Sequence, residues 1–274
     1  KEGKAAWVEP NVVGERIICH VRAGKNAPVN AEAGTKADGR GANFKCLLSD
    51  TPISGDYIKD MGQQGRMREQ LMAMVLDGPK GRIYLSPTEE QERTARSVHV
   101  ERKPMGPVPA RLTGGTCYIY GLTDWNHLFT DRQLLALNTF SDLVAEAVKQ
   151  AEADALKAGW ANDGRGLEQG GTGAKAYAEA VGTYLGMASS KLADAQSSLC
   201  RWKPTMDQSI ATFGRQAIPM VWDYSEANAF GNMAGDYITT LKSMMRVLDQ
   251  MTPHAPGFVT QANATSQGIS LIKV

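Results

Sequence analysis

Residues 215–228, RQAIPMVWDYSEAN, set an apolar run from Ala217 to Trp222 between Arg215-Gln216 and the hydrogen-bonding side chains of Asp223, Glu226 and Asn228. A dozen residues upstream stands Arg201-Trp202-Lys203. Cations beside indole rings are the chemistry of a nucleic-acid surface, because guanidinium and ammonium groups take phosphate and an aromatic face takes a base. On that reading Arg201, Lys203 and Arg215 meet phosphate, with Trp202 or Trp222 near a base. The same residues also suit a brace. Pro219 fixes a bend, Met220, Val221 and Trp222 bury against helices, and Asp223, Glu226 and Asn228 satisfy backbone donors and Arg215. Both readings stand for these residues at the level of sequence.

Other chemistry is thinly represented. Cys19, Cys46, Cys117 and Cys200 are far apart with no CxxC pair, and His20, His99, His127 and His254 are scattered. Cys19-His20 lies in a strand-like run, where neighbouring side chains point to opposite faces, so the pair makes no metal site. There is no GxSxG, no HExxH, no GxxxxGK[ST] and no GxGxxG between a strand and a helix. Glu89-Glu90 falls in a solvated first helical turn.

The elements that must carry these residues divide unevenly. AAWVEP and ERIICHVRAG read as strands with Gly14 at the turn between them, and residues 24–43 as a mobile loop. A basic helix is expected near 62–77, its apolar face formed by Met67, Leu71, Met74 and Val75. GRIYLSP reads as a strand, Pro87–Glu90 starts a helix, and prolines 104, 107 and 109 mark a linker, so a boundary is placed near 115. Three helices follow. The first begins at Asp131, capped by Thr130 or Asp131, with Leu134, Leu137, Phe140, Val144, Ala147 and Ala151 on one face. The second covers 174–199 and ends at Arg201–Lys203. Its main stripe runs from Tyr177 to Leu199, and Ala178, Gly182 and Gly186 form a small-residue stripe that invites another backbone. The third covers about 236–250, with Tyr237, Leu241, Met244, Met245 and Leu248. A Gly-rich connector, 159–173, joins the first two, and GFVTQANATSQGISLIKV reads as strand, turn and strand.

The bulk properties exclude some classes. A net charge of +1 with only a mild basic bias in the first 115 residues is not the footprint of a histone-like binder. No run approaches the roughly 20 apolar residues of a membrane helix. The 42% hydrophobic and 22% charged content is that of a globular chain, read here as reduced and cytoplasmic. KEGKAAWVEP carries no initiator Met or signal-peptide pattern, and GISLIKV stops inside a strand-like run, so both ends read as cuts within a longer protein.

YGLTDWNHLFTDRQLLALNTFSDLV (120–144), YAEAVGTYLGMASSKLADAQSSLCRW (177–202), TFGRQAIPMVWDYSEANAF (212–230) and GFVTQANAT (257–265), in that order, resemble the middle of the adenine-specific DNA methylases that carry a DUF1156 domain, often encoded near phage-defence genes. NFKCLLSDTPISGDYIK and GRMREQLMAMVLDGPKGRIYLSP upstream are similar as well, so the resemblance covers nearly the whole chain. It implies an α+β, predominantly helical chain: a small β-containing N-terminal module (1–115), a helical insert (116–256), and the first strands (257–274) of an α/β S-adenosylmethionine methyltransferase sheet. It implies methyl transfer from S-adenosylmethionine to adenine N6 in double-stranded DNA. The Gly-rich cofactor loop and the DPPY-type motif of the family are both missing, so this section should be inactive alone, should not hold the cofactor, and should need the other methyltransferase segments of its chain as partners. Two departures stand out. Cys46 lies alone in CLLSD, with Ser49 where a zinc ribbon would have its second Cys, so no metal is expected. Asn263 replaces an Asp that would lie near the cofactor's adenine. It can supply an amide contact to the cofactor or simply form a turn. The alternative class is a non-catalytic DNA-binding or scaffold module of a phage-defence assembly.

Overall fold

The strand-like composition of the first 24 residues resolves into a hairpin in the computed structural model, which describes residues 5–25, 27, 28, 31, 34–36, 43–214 and 216–251. Strand β1 (Ala5–Val13) pairs antiparallel with β2 (Arg16–Gly24) across Gly14, whose φ of 62° is one that glycine adopts without a Cβ penalty. The pleat sorts side chains by chemistry. Ala6, Val8, Pro10 and Val12 oppose Ala23, Val21, Cys19 and Ile17 on one face. On the other, Glu9 accepts hydrogen bonds from Trp7 and Arg22. Cys19 is buried and His20 is not, as opposite faces require.

The helix expected near 62–77 is not there. Helix α1 is Gly55–Gln63, capped by the Ser54 hydroxyl, and it stops because Gly65 turns left-handed (φ 66°). Residues 64–73 carry no regular structure, and Met74–Gly78 is strand β5, paired with β6 (Gly81–Leu85). The i, i+4, i+7, i+8 spacing of Met67, Leu71, Met74 and Val75 mimicked a helical face. The Gly78–Gly81 turn instead sets Met74 and Leu76 opposite Leu85 and Ile83, a cross-strand packing that overrides helical propensity. Two short strands, β3 (Phe44–Lys45) and β4 (Pro52–Ile53), make a tight hairpin around Cys46, and α2 (Glu89–Arg96) starts with a Thr88–Gln91 capping box.

Helix α3 (Asp131–Lys157) starts at Thr130, whose hydroxyl accepts from Gln133 N while the Gln133 side chain accepts from Thr130 N. Helix α4 (Ala174–Ala195) packs along it. It ends four residues before the expected 199, because Gln196 leaves helical geometry and donates its side chain to Ala227 O, and Ser198 N finds Leu128 O at 2.8 Å. Arg201–Lys203 therefore form strand β7, paired with β8 (Gln208–Ile210), and do not end a helix. Helix α5 (Tyr237–Leu248), capped by the buried Asp236, lies on α4. The Gly-rich connector is ordered: Asp163 accepts from Arg165 N and Thr172 N, Glu179 accepts from Leu167 N, and Trp160 packs on Tyr177.

The chain is thus a mixed α+β protein in which, among the described residues, helix outweighs strand and every sheet is a two-stranded antiparallel pair. Its core has two centres. One holds Val108, Cys117, Leu128, Leu199 and Ile218. The other holds Phe140, Ala188, Leu192, Ala229 and Tyr237. The boundary expected near 115 falls inside the first centre, since Val108 N bonds to Thr123 O and packs with Cys117. The expected methyltransferase strands, 257–274, lie outside the described residues. No helix among the described residues is long and apolar enough to cross a membrane.

Candidate functional site

The segment from Ala217 to Ala229 threads both core centres. Ile218 is buried, and its carbonyl accepts from Cys117 N at 2.7 Å. Met220 and Val221 pack on the first centre, Ser225 N donates to Cys200 O, and Ala229 closes the second centre. Two cysteines that sequence left without a role, Cys117 and Cys200, are fully buried along this path, and burial pushes the Cys117 thiol up. The backbone requirements of a brace are met here.

Trp222 does not bury with its neighbours. It stands edge-on to Tyr120 (centroids 5.1 Å apart) and to Phe44 (5.6 Å), and 43% of it stays exposed, so part of the indole is open to a ligand. Arg201 sits beside this segment through a bridge to Tyr224. On β7, Arg201 and Lys203 share one face and Trp202 takes the other, where it meets the edge of Tyr84 at 6.2 Å. Tyr84 donates to Asp207 at 2.6 Å, and burial together with that carboxylate pushes its hydroxyl up to about 12. This contact clips the β7–β8 hairpin onto β5–β6. Neither Arg201 nor Lys203 has an ion pair or side-chain hydrogen bond among the described residues, which leaves both cations available to phosphate. Arg215 and Asn263 lie outside the described residues.

The most connected charged group in the region was not singled out from the sequence. Arg132, in the first turn of α3, bonds Glu226 through Nε (3.0 Å), Glu69 through Nη1 (3.0 Å) and the Ala95 carbonyl (3.1 Å). Tyr224 donates its hydroxyl to the same Glu69. Burial pushes the Glu69 carboxyl up, but the hydrogen bonds from Arg132 and Tyr224 outweigh it and hold the group below its ordinary value. Glu226, anticipated as a partner for Arg215, belongs to Arg132. The four side chains tie the 64–73 segment, the end of α2, the start of α3 and the core-threading segment at one point. No local pattern announces such a node, because its members are 63 and 94 residues apart.

Beside Tyr120 opens a cleft of about 260 Å³ lined by Gly62, Gly65, Met67, Tyr120, Gly121, Leu122 and His127. Gly62 in α1 and the Tyr120–Gly121 turn pass so closely that a Cβ on either glycine would strike the other segment's backbone. In the β3–β4 hairpin the Cys46 thiol is partly exposed rather than buried, and hydrogen bonds from Ser49 and Leu48 hold its pKa below the ordinary value. Among the described residues no three His, Cys, Asp or Glu side chains gather to hold a metal. The Gly-rich 159–173 stretch joins two helices, α3 and α4. No protein-family model matches the chain, and no curated protein or solved structure matches it either.

Proposed function

We propose that this chain is the DNA-facing, non-catalytic section of an adenine-specific DNA methyltransferase that moves a methyl group from S-adenosylmethionine to adenine N6. The motif order resembling the DUF1156-containing methylases supplies the reaction. The structural observation that supports it is where the resemblance falls. The resembling stretches 120–144, 177–202 and 212–230, separated in sequence, meet in the two core centres, which also take in Val108, Cys117 and Tyr237 from outside them. In this reading Arg201 and Lys203 contact phosphate, the open side of Trp222 faces DNA, and cofactor and catalysis belong to other segments of the enzyme.

The exposed surface supports the need for those segments. Among the described residues before Val108, Cys19 is the sole buried hydrophobic residue. Leu76, Ile83 and Leu85 lie exposed on one face of β5–β6. Such a module calls for more protein to cover it. This observation also suits the second reading, a scaffold module in a defence assembly.

The deciding experiment places the chain in its complete reading frame and assays transfer of labelled methyl from S-adenosylmethionine to DNA. N6-methyladenine is the expected product. DNA binding with no methyl transfer by the intact enzyme would favour the scaffold.

A further inference from the structure

Between α2 and the first core centre the chain crosses the surface of α3, and charge rather than packing keeps it there. No side chain of residues 97–106 is buried, and Met105 is 92% exposed. Arg102 lays its guanidinium along the Asp142 carboxylate in two parallel bonds, Nη1 to Oδ1 at 2.7 Å and Nη2 to Oδ2 at 2.9 Å. The same Nη2 donates to Asn138 O at 2.9 Å, and the Asn138 amide returns a bond to Arg102 O. One residue on, Lys103 Nζ reaches Asp131 Oδ1 at 2.6 Å, and His99 Nδ1 stands 3.7 Å from the other oxygen of that carboxylate. Asp131, Asn138 and Asp142 are spaced i, i+7, i+11, which places them on one face of α3. Leu135 shares that face and is still 47% exposed, so apolar burial does not seat the segment there.

Both ends of the segment are pinned by other means. Upstream, Ala95 O accepts from Arg132 Nη1 at 3.1 Å. Downstream, Gly106 O accepts from Trp125 N at 2.9 Å, and Val108 is buried in the first core centre. The two kinds of attachment answer differently to salt. Arg102 and Asp142 are each more than half exposed, so dissolved ions screen their attraction. Burial of Val108 is not weakened in that way.

We propose that residues 97–105 form a releasable strap, held on α3 by the Arg102–Asp142 and Lys103–Asp131 pairs, which opens locally as ionic strength rises while its two ends stay in place. Opening uncovers Asp131, Asn138 and Asp142 along α3 and frees two cations, so the ionic surroundings of the protein set the state of this face.

Limited trypsin digestion of the 274-residue chain, read by mass spectrometry, tests the strap. Trypsin can cut after Arg102 only when the segment leaves the helix, and it does not cut the Lys103–Pro104 bond. Cleavage after the exposed Arg111 serves as the internal reference. Relative to that reference, cleavage after Arg102 should be slow in wild type at low salt and about fivefold faster in Asp142→Asn, because proteolysis of an opened segment follows its population. Wild type should approach the variant at about 1 M salt, where the screening length falls to about 3 Å. Arg102→Lys keeps the charge and loses the fork. It should speed hydrogen exchange of residues 97–105, a readout independent of protease preference. The melting temperature should stay unchanged in both variants. Should Asp142→Asn fail to fold, Arg102→Lys and the salt series decide. Opening that is equal in wild type and variants and indifferent to salt, or that rises only where the melting temperature falls, would overturn the strap.

Discussion

Arg132 shows how one side chain can fix several segments. Its planar guanidinium satisfies two carboxylates and a carbonyl at once, a geometry that a lysine ammonium cannot reproduce. Arg132→Ala should cost about 1–3 kcal/mol in chemical denaturation, below the 3–5 kcal/mol of fully buried pairs because the site retains solvent contact. Arg132→Lys should recover little of it. The effect carries a pH signature. Glu69 titrates below its ordinary 4.5 when folded, so its contribution is complete above that value and is lost as pH falls through the folded value. The stability gap between wild type and Arg132→Ala should therefore be constant at neutral pH and narrow below about 4.5; a gap independent of pH would remove Glu69 from the account. Arg201 and Lys203 call for a different measurement. In the intact enzyme, Ala at either position should weaken binding to all DNA sequences alike and flatten the log–log salt dependence by about 0.9 per lost phosphate contact. Lost stability with an unchanged slope would make them structural.

At the scale of elements, the small-residue stripe of α4 separates into two different positions. Gly182 faces α3, where an added Cβ would strike the Val148 methyl, whereas Gly186 has open space around it. The close backbone approach expected at both glycines is seen at neither; at Gly182 it is the Val148 side chain that comes close. Gly186→Ala should raise stability by about 0.5–1 kcal/mol, the intrinsic helical preference for alanine. At Gly182 the same preference meets overpacking of about 1–3 kcal/mol, so Gly182→Ala should be neutral or destabilising. Thermal melts of the two variants side by side check the contrast, and a gain at Gly182 equal to that at Gly186 would mean that α3 yields freely.

At the scale of the molecule, burial is concentrated from Val108 onward, and the hairpins before it have little core of their own. Isolated two-stranded hairpins are marginal in water. Hydrogen exchange should accordingly show strong protection in α3, α4 and residues 116–128, and fast exchange through β1–β2 and β5–β6. Protection of those hairpins comparable to α3 would show that the chain stabilises them without further protein, and would weaken the case for missing segments.

The sequence by itself determined the long helices and the face of the first, whereas Tyr177, Tyr184, Met245 and Leu248 of the faces expected on the other two lie exposed. Leu134, Leu137 and Phe140 recur at helical spacing, Thr130 announces a cap three residues before Gln133, and Asp236 stands at the head of α5. It also placed the first hairpin, where composition and Gly14 agree. These are local signals, set by bonds and side chains within a few residues of one another. Tertiary structure decided the rest. Met67, Leu71, Met74 and Val75 fit a helix in isolation, and pairing with β6 made the last two a strand. Arg201–Lys203 continued a helical stripe until Gln196 found Ala227 and turned the chain away. Arg132, Glu69, Tyr224 and Glu226 carry no motif, because their meeting depends on how distant segments cross. Short-range preference fixes what an element can be, and the free energy of packing and of satisfying buried polar groups selects among the options that remain.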